Sequence, residues 1–382
     1  MMLRALVCSA SVSVVVVVVV GCPVPAIAPA AEAEGEGEGA EGEGEGECEG
    51  RGGACPLLGE GEGEGEGEGE GEGEGEGEGE GEGDIDDAPG LPFVFVIALE
   101  NKSDAGIIGN ADAPYLNDVI AADYGHASNY GDVLAHLVSE PHYVWLEAGT
   151  NQFDDHTFLF DSEPSSSNST NDTRHLATQL EAAGKQWRSY QEGLDDATGA
   201  CPINNAGFYA AKHDPFVFFQ DVAGSPPSAS NAFCASHHRA YDSADFAADL
   251  DFDDVAAYTF ITPNLCHDMH GKSSCDNGCT QGSSSACVRE GDRWLSENVP
   301  PILDFLERRG GVLLFVWDET EGNETQPFFV AGPTVRPGVT VDTPLDHSAY
   351  LRSLEEIFGL PIDARVAGAN DIAAFFVDGA FP

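Results

Sequence analysis

The stretch LPFVFVIALENKS, Leu91–Ser103, decides the fold. From Leu91 to Leu99 it is an unbroken apolar run. A strand with one wet face would alternate apolar and polar residues. This one does not, so it reads as a strand buried on both faces of a parallel sheet. It stops abruptly at Glu100-Asn101-Lys102-Ser103. Two further runs behave alike: Tyr258–Thr262, ending in Pro263-Asn264, and Gly311–Trp317, ending in Asp318-Glu319. Between them lie helical patterns. Asp172–Ala183 places Leu176, Leu180 and Ala183 at helical spacing, with Gly184 as a stop. Asp292–Arg308 repeats Trp294, Leu295, Val299, Ile302, Leu303 and Leu306 despite Pro300 and Pro301, and Ser348–Phe358 ends at Gly359. Strands alternating with helices predict a three-layer α/β sandwich with a mostly parallel central sheet.

In open parallel sheets, ligands bind outside the carboxyl ends of the strands. Here those ends carry Glu100/Asn101 and Asp318/Glu319. The three carboxylates of these two pairs cannot sit side by side charged and unpaired, and a divalent cation with oxygen ligands is the simplest way to neutralise them. The alternative is a pair of N-cap carboxylates at helix starts. A second stretch, LVSEPHYVWLEAGT at Leu137–Thr150, puts Ser139 ahead of Glu-Pro-His-Tyr and then an apolar, strand-like segment. Taken alone, a serine beside proline is a turn residue.

The chain has 382 residues and a formal net charge of -51, unevenly placed. Glu32–Gly83 is almost pure Glu-Gly alternation. It has few apolar side chains and dense like charge, which reads as an extended, disordered tether. Asp84–Pro382 keeps a net charge of about -32, and its length suits one large α/β domain. Such an acidic balance argues against nucleic acid as a partner and against docking on anionic lipid through a polybasic patch.

The N-terminus has Arg4, a short apolar run and Val-Gly-Cys22, the pattern of an exported lipoprotein lipidated at Cys22. A plain secretory signal is the alternative. The expected organisation is a signal peptide over 1–22, a tether over 23–90 and one domain over 91–382. Localisation is then outside the inner membrane, through a lipid anchor. Export fits disulfides. Cys48 and Cys55 could close a small loop in the tether. Cys201, Cys234, Cys266, Cys275, Cys279 and Cys287 could form up to three bridges in the domain, and the last three read as a stapled insertion in preference to a zinc site.

An ordered series runs through the domain: Leu99–Asp104, Ala113–Asn117, Ser139–Tyr143, Trp187–Glu192, Ala211–Phe216, Ile261–Asn264 with Asp268-Met269-His270, Gly291–Leu295, Trp317–Glu319, and His347 before Leu351–Glu355. It resembles the bacterial phosphoesterase family of acid phosphatases and phospholipases C, within the alkaline-phosphatase-like superfamily. The resemblance implies hydrolysis of a phosphoric ester, in a small molecule or phospholipid head group, by a serine nucleophile through a phosphoserine. It maps Ser139 to that nucleophile, and Glu100, Asn101, Asp318 and Glu319 to ligands of a divalent metal ion. His270 and His347 fall on positions that bind phosphate or donate a proton, with Asp268 nearby.

The chain departs from the family pattern at two places. His136 is shifted by one relative to the histidine that precedes the nucleophile. His142 replaces an asparagine and stands as an extra phosphate contact. His213, His237 and His238 lie in turn or surface contexts and read as loop residues. A sulfate or phosphonate ester hydrolase is disfavoured because Tyr143 stands where sulfatases place an arginine. A surface-binding domain without catalysis is disfavoured by the retained Glu/Asn, Ser, Asp/Glu and His set.

Overall fold

The computed structural model describes residues 90–382, except 196, 253, 282, 283 and 321–324. The expected signal peptide, Cys22, the Glu-Gly tether, and Cys48 and Cys55 lie outside the described residues.

Eight strands form one sheet: β1 (Val94–Leu99), β2 (Gly125–Ala127), β3 (Trp187–Glu192), β4 (His238–Tyr241), β5 (Tyr258–Thr262), β6 (Val312–Trp317), β7 (Phe328–Ala331) and β8 (Val339–Val341). Their order is β4-β3-β5-β1-β6-β7-β2-β8. The pairings are parallel except where β7 meets β6 and β2. The runs read as doubly buried strands are the three central ones, β5, β1 and β6.

Their side chains divide cleanly between two cores. Val94, Val96 and Ala98 of β1 join one apolar cluster with Val312, Leu314 and Val316 of β6. Phe95, Ile97 and Leu99 join another, with Leu313, Phe315 and Trp317. Helices α1 (Ser139–Ala148), α2 (Leu176–Ala182) and α5 (His347–Ile357) cover the first face. Helices α3 (Ser243–Asp251) and α4 (Ser284–Arg309) cover the second. With both faces apolar and both covered, the molecule has three layers.

Helix α4 runs through Pro300 and Pro301, and its Val299, Ile302, Phe305 and Leu306 are buried against the sheet. Tertiary burial overrides the two missing amide donors there. The segment after Ser139 is helical, not strand-like. Ser139 is its first residue, Pro141 sits in the first turn where its missing N–H costs little, and Gly149 closes it with φ 65°.

Three disulfides pair the domain cysteines: Cys201–Cys234, Cys266–Cys275 and Cys279–Cys287. The last two staple the insertion between β5 and α4.

Candidate active site

Register builds the site. Leu99 pairs with Trp317, so the next residues, Glu100 and Asp318, leave the sheet side by side. The Asp318 N–H donates to the Leu99 carbonyl (3.0 Å), and the Asn101 N–H donates to Asp318 Oδ1 (3.1 Å). Asn101 Nδ2 donates to Glu319 Oε1 (3.0 Å). The loop after β5 closes from the other side, where the Glu100 N–H donates to the Asp268 carbonyl (2.8 Å). That loop lies tight on α4 because residue 291 is glycine. A Cβ there would come within 2.4 Å of Met269 Cγ.

Ser139 enters from the N-terminus of α1 and is 2% exposed. Its hydroxyl lies 3.1 Å from Glu100 Oε2 and 3.3 Å from Glu319 Oε1, and Lys212 Nζ donates to its Oγ at 3.2 Å. The helix end favours negative charge on that oxygen. Lys212 is in turn held by Asp161 Oδ2 at 2.7 Å. Burial would lower its pKa, but Glu100, Asp161 and Asp318 push it up to about 12, so it stays an ammonium.

The surrounding carboxylates are under-compensated. Burial first, then the Glu100 charge, pushes Asp268 far above the usual carboxylate range. Burial, Glu100 and Glu319 do the same to Asp318, and Glu319 rises to about 7, chiefly through burial. Glu100 Oε1, Asn101 Oδ1, Asp268 Oδ2 and Asp318 Oδ2 are buried with no hydrogen-bond partner. His213 Nε2 approaches Glu100 Oε1 to 3.1 Å, yet neither atom has hydrogen-bond geometry. Among the described residues, no three His, Cys, Asp or Glu side chains are arranged as they stand to hold a metal ion. The donor chemistry nonetheless fits one, because hard oxygen atoms are buried here in excess of the positive charge that would balance them.

Backbone strain marks the same place. Among the described residues, non-glycine residues with positive φ are Asn101 (25°), His136 (78°) and Met269 (77°). Asn101 is a site residue and Met269 lies between Asp268 and His270, where such strain persists because the surroundings enforce it; His136 is exposed and lies outside those contacts.

The histidines differ from expectation in instructive ways. His270 donates from Nδ1 to the Gly271 carbonyl (2.8 Å), and its N–H is capped by Asp268 Oδ1 (2.8 Å). Its ring faces His213 at 6.5 Å. His347 is fully buried, with Nε2 on the Asp318 carbonyl (2.6 Å) and Nδ1 on the Tyr130 hydroxyl (2.9 Å). The carbonyl can only accept, so the proton sits on Nε2. Burial and the neighbouring His142 push His347 down to about 3. A neutral ring with both nitrogens engaged is not placed to donate a proton, and it instead fixes the end of β6.

His142 is likewise not free to touch phosphate. Its Nδ1 bonds the Val138 carbonyl (2.8 Å) and its Nε2 bonds Asp132 (2.9 Å). Burial opposes its charge, but the Asp132 carboxylate outweighs burial and raises its pKa. His136 is exposed and makes none of the site's hydrogen bonds or ion pairs.

The sequence pattern does not single out Lys212 or His213. His213 is not the loop residue its turn context suggests, but the last residue of a short 3-10 helix, Ala211–His213. It is 2% exposed and stacks on Tyr143 at 5.1 Å. Burial, then the Lys212 and His270 charges, keep it neutral. Their signal was present, since both lie in the Ala211–Phe216 motif. His238 is also not a loop residue: it opens β4 and pairs with Asp214 at 3.0 Å.

A three-layer α/β sheet with a buried serine among carboxylates at adjacent strand ends defines a candidate hydrolytic enzyme. The profile of the Phosphoesterase family matches residues 111–325. The chain belongs to that family and is a hydrolase of phosphoric ester bonds. It is 28% identical to a phosphatidylinositol-3-phosphatase of Mycobacterium tuberculosis over 76% of this chain and 84% of that protein. It is 26% identical to a probable acid phosphatase of Kluyveromyces lactis over 75% and 63%. A phosphonate monoester hydrolase from Silicibacter pomeroyi superposes with a TM-score of 0.45 at 12% identity, over 75% of this chain and 76% of that one.

Proposed function

We propose that the protein is a phosphomonoester hydrolase in which Ser139 attacks phosphorus and forms a phosphoserine that water then hydrolyses. The observation carrying this reading is the set of contacts at Ser139 Oγ: Glu100 Oε2 and Glu319 Oε1 on one side, the Lys212 ammonium on the other. A neutral serine is a weak nucleophile and needs an acceptor for its proton and a positive charge beside its oxygen. Glu100 is placed to accept the proton, and Lys212 is placed to offset charge building on Oγ. The naming of the relatives as phosphatases favours monoesters over diesters.

Glu100, Asn101, Asp318 and Glu319 would hold a divalent metal ion, with Mg, Mn, Ca, Fe and Zn all compatible with such donors. When bound, it would supply a lowered serine pKa and charge neutralisation at the phosphoryl oxygens. The Gly271 carbonyl engages His270 Nδ1, which leaves His270 Nε2 as the imidazole atom for protonating the leaving alkoxide, while Asp268 holds the His270 backbone N–H. His347 and the Asp132–His142 pair are positioning residues, acting through the β6 end and the start of α1.

The test uses purified protein, metal-stripped and restored, on p-nitrophenyl phosphate and bis-p-nitrophenyl phosphate. Metal-dependent turnover with preference for the monoester is expected. Metal-independent turnover or a diester preference overturns that part of the reading. Export with lipidation at Cys22 is part of the same proposal; the three disulfides favour the export alone. Globomycin should cause the unprocessed precursor to accumulate.

A further inference from the structure

A pocket of about 250 Å³ opens beside the nucleophile, lined by Asp161, Ser162, Asn205, Tyr209, Lys212 and Lys272 among others. It is continuous with the chemistry. Lys212 contacts Ser139 Oγ, and Asp161 Oδ1 accepts the N–H of Glu140, the residue after the nucleophile (3.1 Å).

Its charge is unusual for this molecule. The chain has four lysines against 67 acidic residues. Two of the four line this pocket, and a third, Lys102, reaches the carbonyl of Asn101 at 2.7 Å. Asp161 is the one acidic lining residue, and it is spent on Lys212 at 2.7 Å. Glu163, just beyond, accepts the Asn205 N–H (2.7 Å). That leaves Lys272 as a lining ammonium with no ion-pair partner among the described residues.

Lys272 is built into place. Its N–H donates to the Cys279 carbonyl (3.2 Å), and its carbonyl accepts from the Cys275 N–H (3.0 Å). It therefore sits inside the double staple of Cys266–Cys275 and Cys279–Cys287. Its ammonium donates to the Gly207 carbonyl (2.6 Å) and lies 5.9 Å from the Phe208 ring centre. Holding the stem this way reduces the rotamer entropy lost when the ammonium meets a ligand.

We propose that this pocket is the leaving-group subsite and that it selects phosphomonoesters whose leaving group is small, hydroxylated and carries a second anionic group, with Lys272 as the residue that reads it. The inference rests on the phosphomonoesterase reading above. The volume suits a three- to six-carbon polar group. An acidic protein surface repels phosphate esters in general, so a local lysine pair is where discrimination between singly and doubly anionic esters can arise.

The experiment compares 3-phosphoglycerate with glycerol 3-phosphate, which differ by a carboxylate in place of a hydroxymethyl group, with p-nitrophenyl phosphate as reference. The expected kcat/KM ratio of the first to the second is about tenfold, carried mainly by KM, the size of one charge-assisted contact. Lys272→Gln should bring the ratio near one, and Lys272→Arg should retain it. Thermal melting confirms that each variant is folded. A wild-type ratio at or below one, or an unaltered ratio in folded Lys272→Gln, overturns the proposal. Absence of p-nitrophenyl phosphate turnover overturns the phosphomonoesterase reading beneath it. Inositol 1,3-bisphosphate forms a second arm. Faster turnover of it than of glycerol 3-phosphate supports the subsite, and equal or slower turnover contradicts it.

Discussion

At the C-terminal end of α1, Glu147 is buried against His175 Nδ1 (2.9 Å), while Asp221 takes His175 Nε2 (3.1 Å) and the Thr178 hydroxyl (2.7 Å). Burial would discharge that imidazole, but Asp221 and Glu147 outweigh it and push its pKa up to about 9, although burial also raises Glu147. Two carboxylates therefore share one imidazolium and a hydroxyl. At the N-terminal end of the same helix, Ser139 faces Glu100 and Glu319, with Asp268 and Asp318 behind them and partnerless oxygens on three of these four acids. Of the carboxylate oxygens around His175, Glu147 Oε2 alone is buried without a partner, so one helix carries a nearly balanced acid cluster and an unbalanced one. The balanced cluster is explained by packing. The unbalanced one costs stability, and catalysis gives a reason to keep it.

Removing a carboxylate from the unbalanced end is expected to have the largest effect. Glu100→Gln should lower kcat/KM by about 10³-fold while raising the stability of the metal-stripped protein by about 1–2 kcal/mol. Steady-state kinetics and thermal melting check the two signs together. A destabilised Glu100→Gln would mean that the cluster is balanced after all.

The opposite end should respond in the opposite sense. His175→Gln leaves buried carboxylates unpaired and should destabilise by about 3 kcal/mol. The folded pKa of His175 exceeds its ordinary 6.5, so its contribution is fully present below pH 6.5 and is lost as pH rises through about 9. The melting difference between wild type and His175→Gln should shrink over that window. A difference that grows toward pH 9 would contradict the imidazolium assignment.

The smallest effect is expected at His136, exposed and outside the site's contacts. His136→Asn, which tolerates positive φ, should change kcat/KM by less than about threefold. A larger loss would return His136 to the site.

The comparison also indicates what sequence can carry. β1 and β6 were legible because a doubly buried strand has no polar positions until it ends, so Glu100 and Asp318 announce themselves. Helix α1 was not, because the Tyr-Val-Trp-Leu segment at 143–146 suits either period and its helical register is set by packing on α5, where Trp145 Nε1 donates to Ser348 (3.0 Å). The roles of His142 and His347 depend on Asp132 and Tyr130, which reach them through space from a segment with no pattern of its own. Lys212 lay in a recognised motif, and its weight came only from the scarcity of lysine around a carboxylate-rich site.

The central claim is that Ser139 carries the phosphoryl group. Ser139→Ala, metal-restored and folded by melting, should lose at least about 10⁴-fold in kcat/KM on p-nitrophenyl phosphate. Acid-quenched wild type should yield phosphate on the peptide containing Ser139. Activity in Ser139→Ala within tenfold of wild type, with no phosphate on that peptide, would contradict the account.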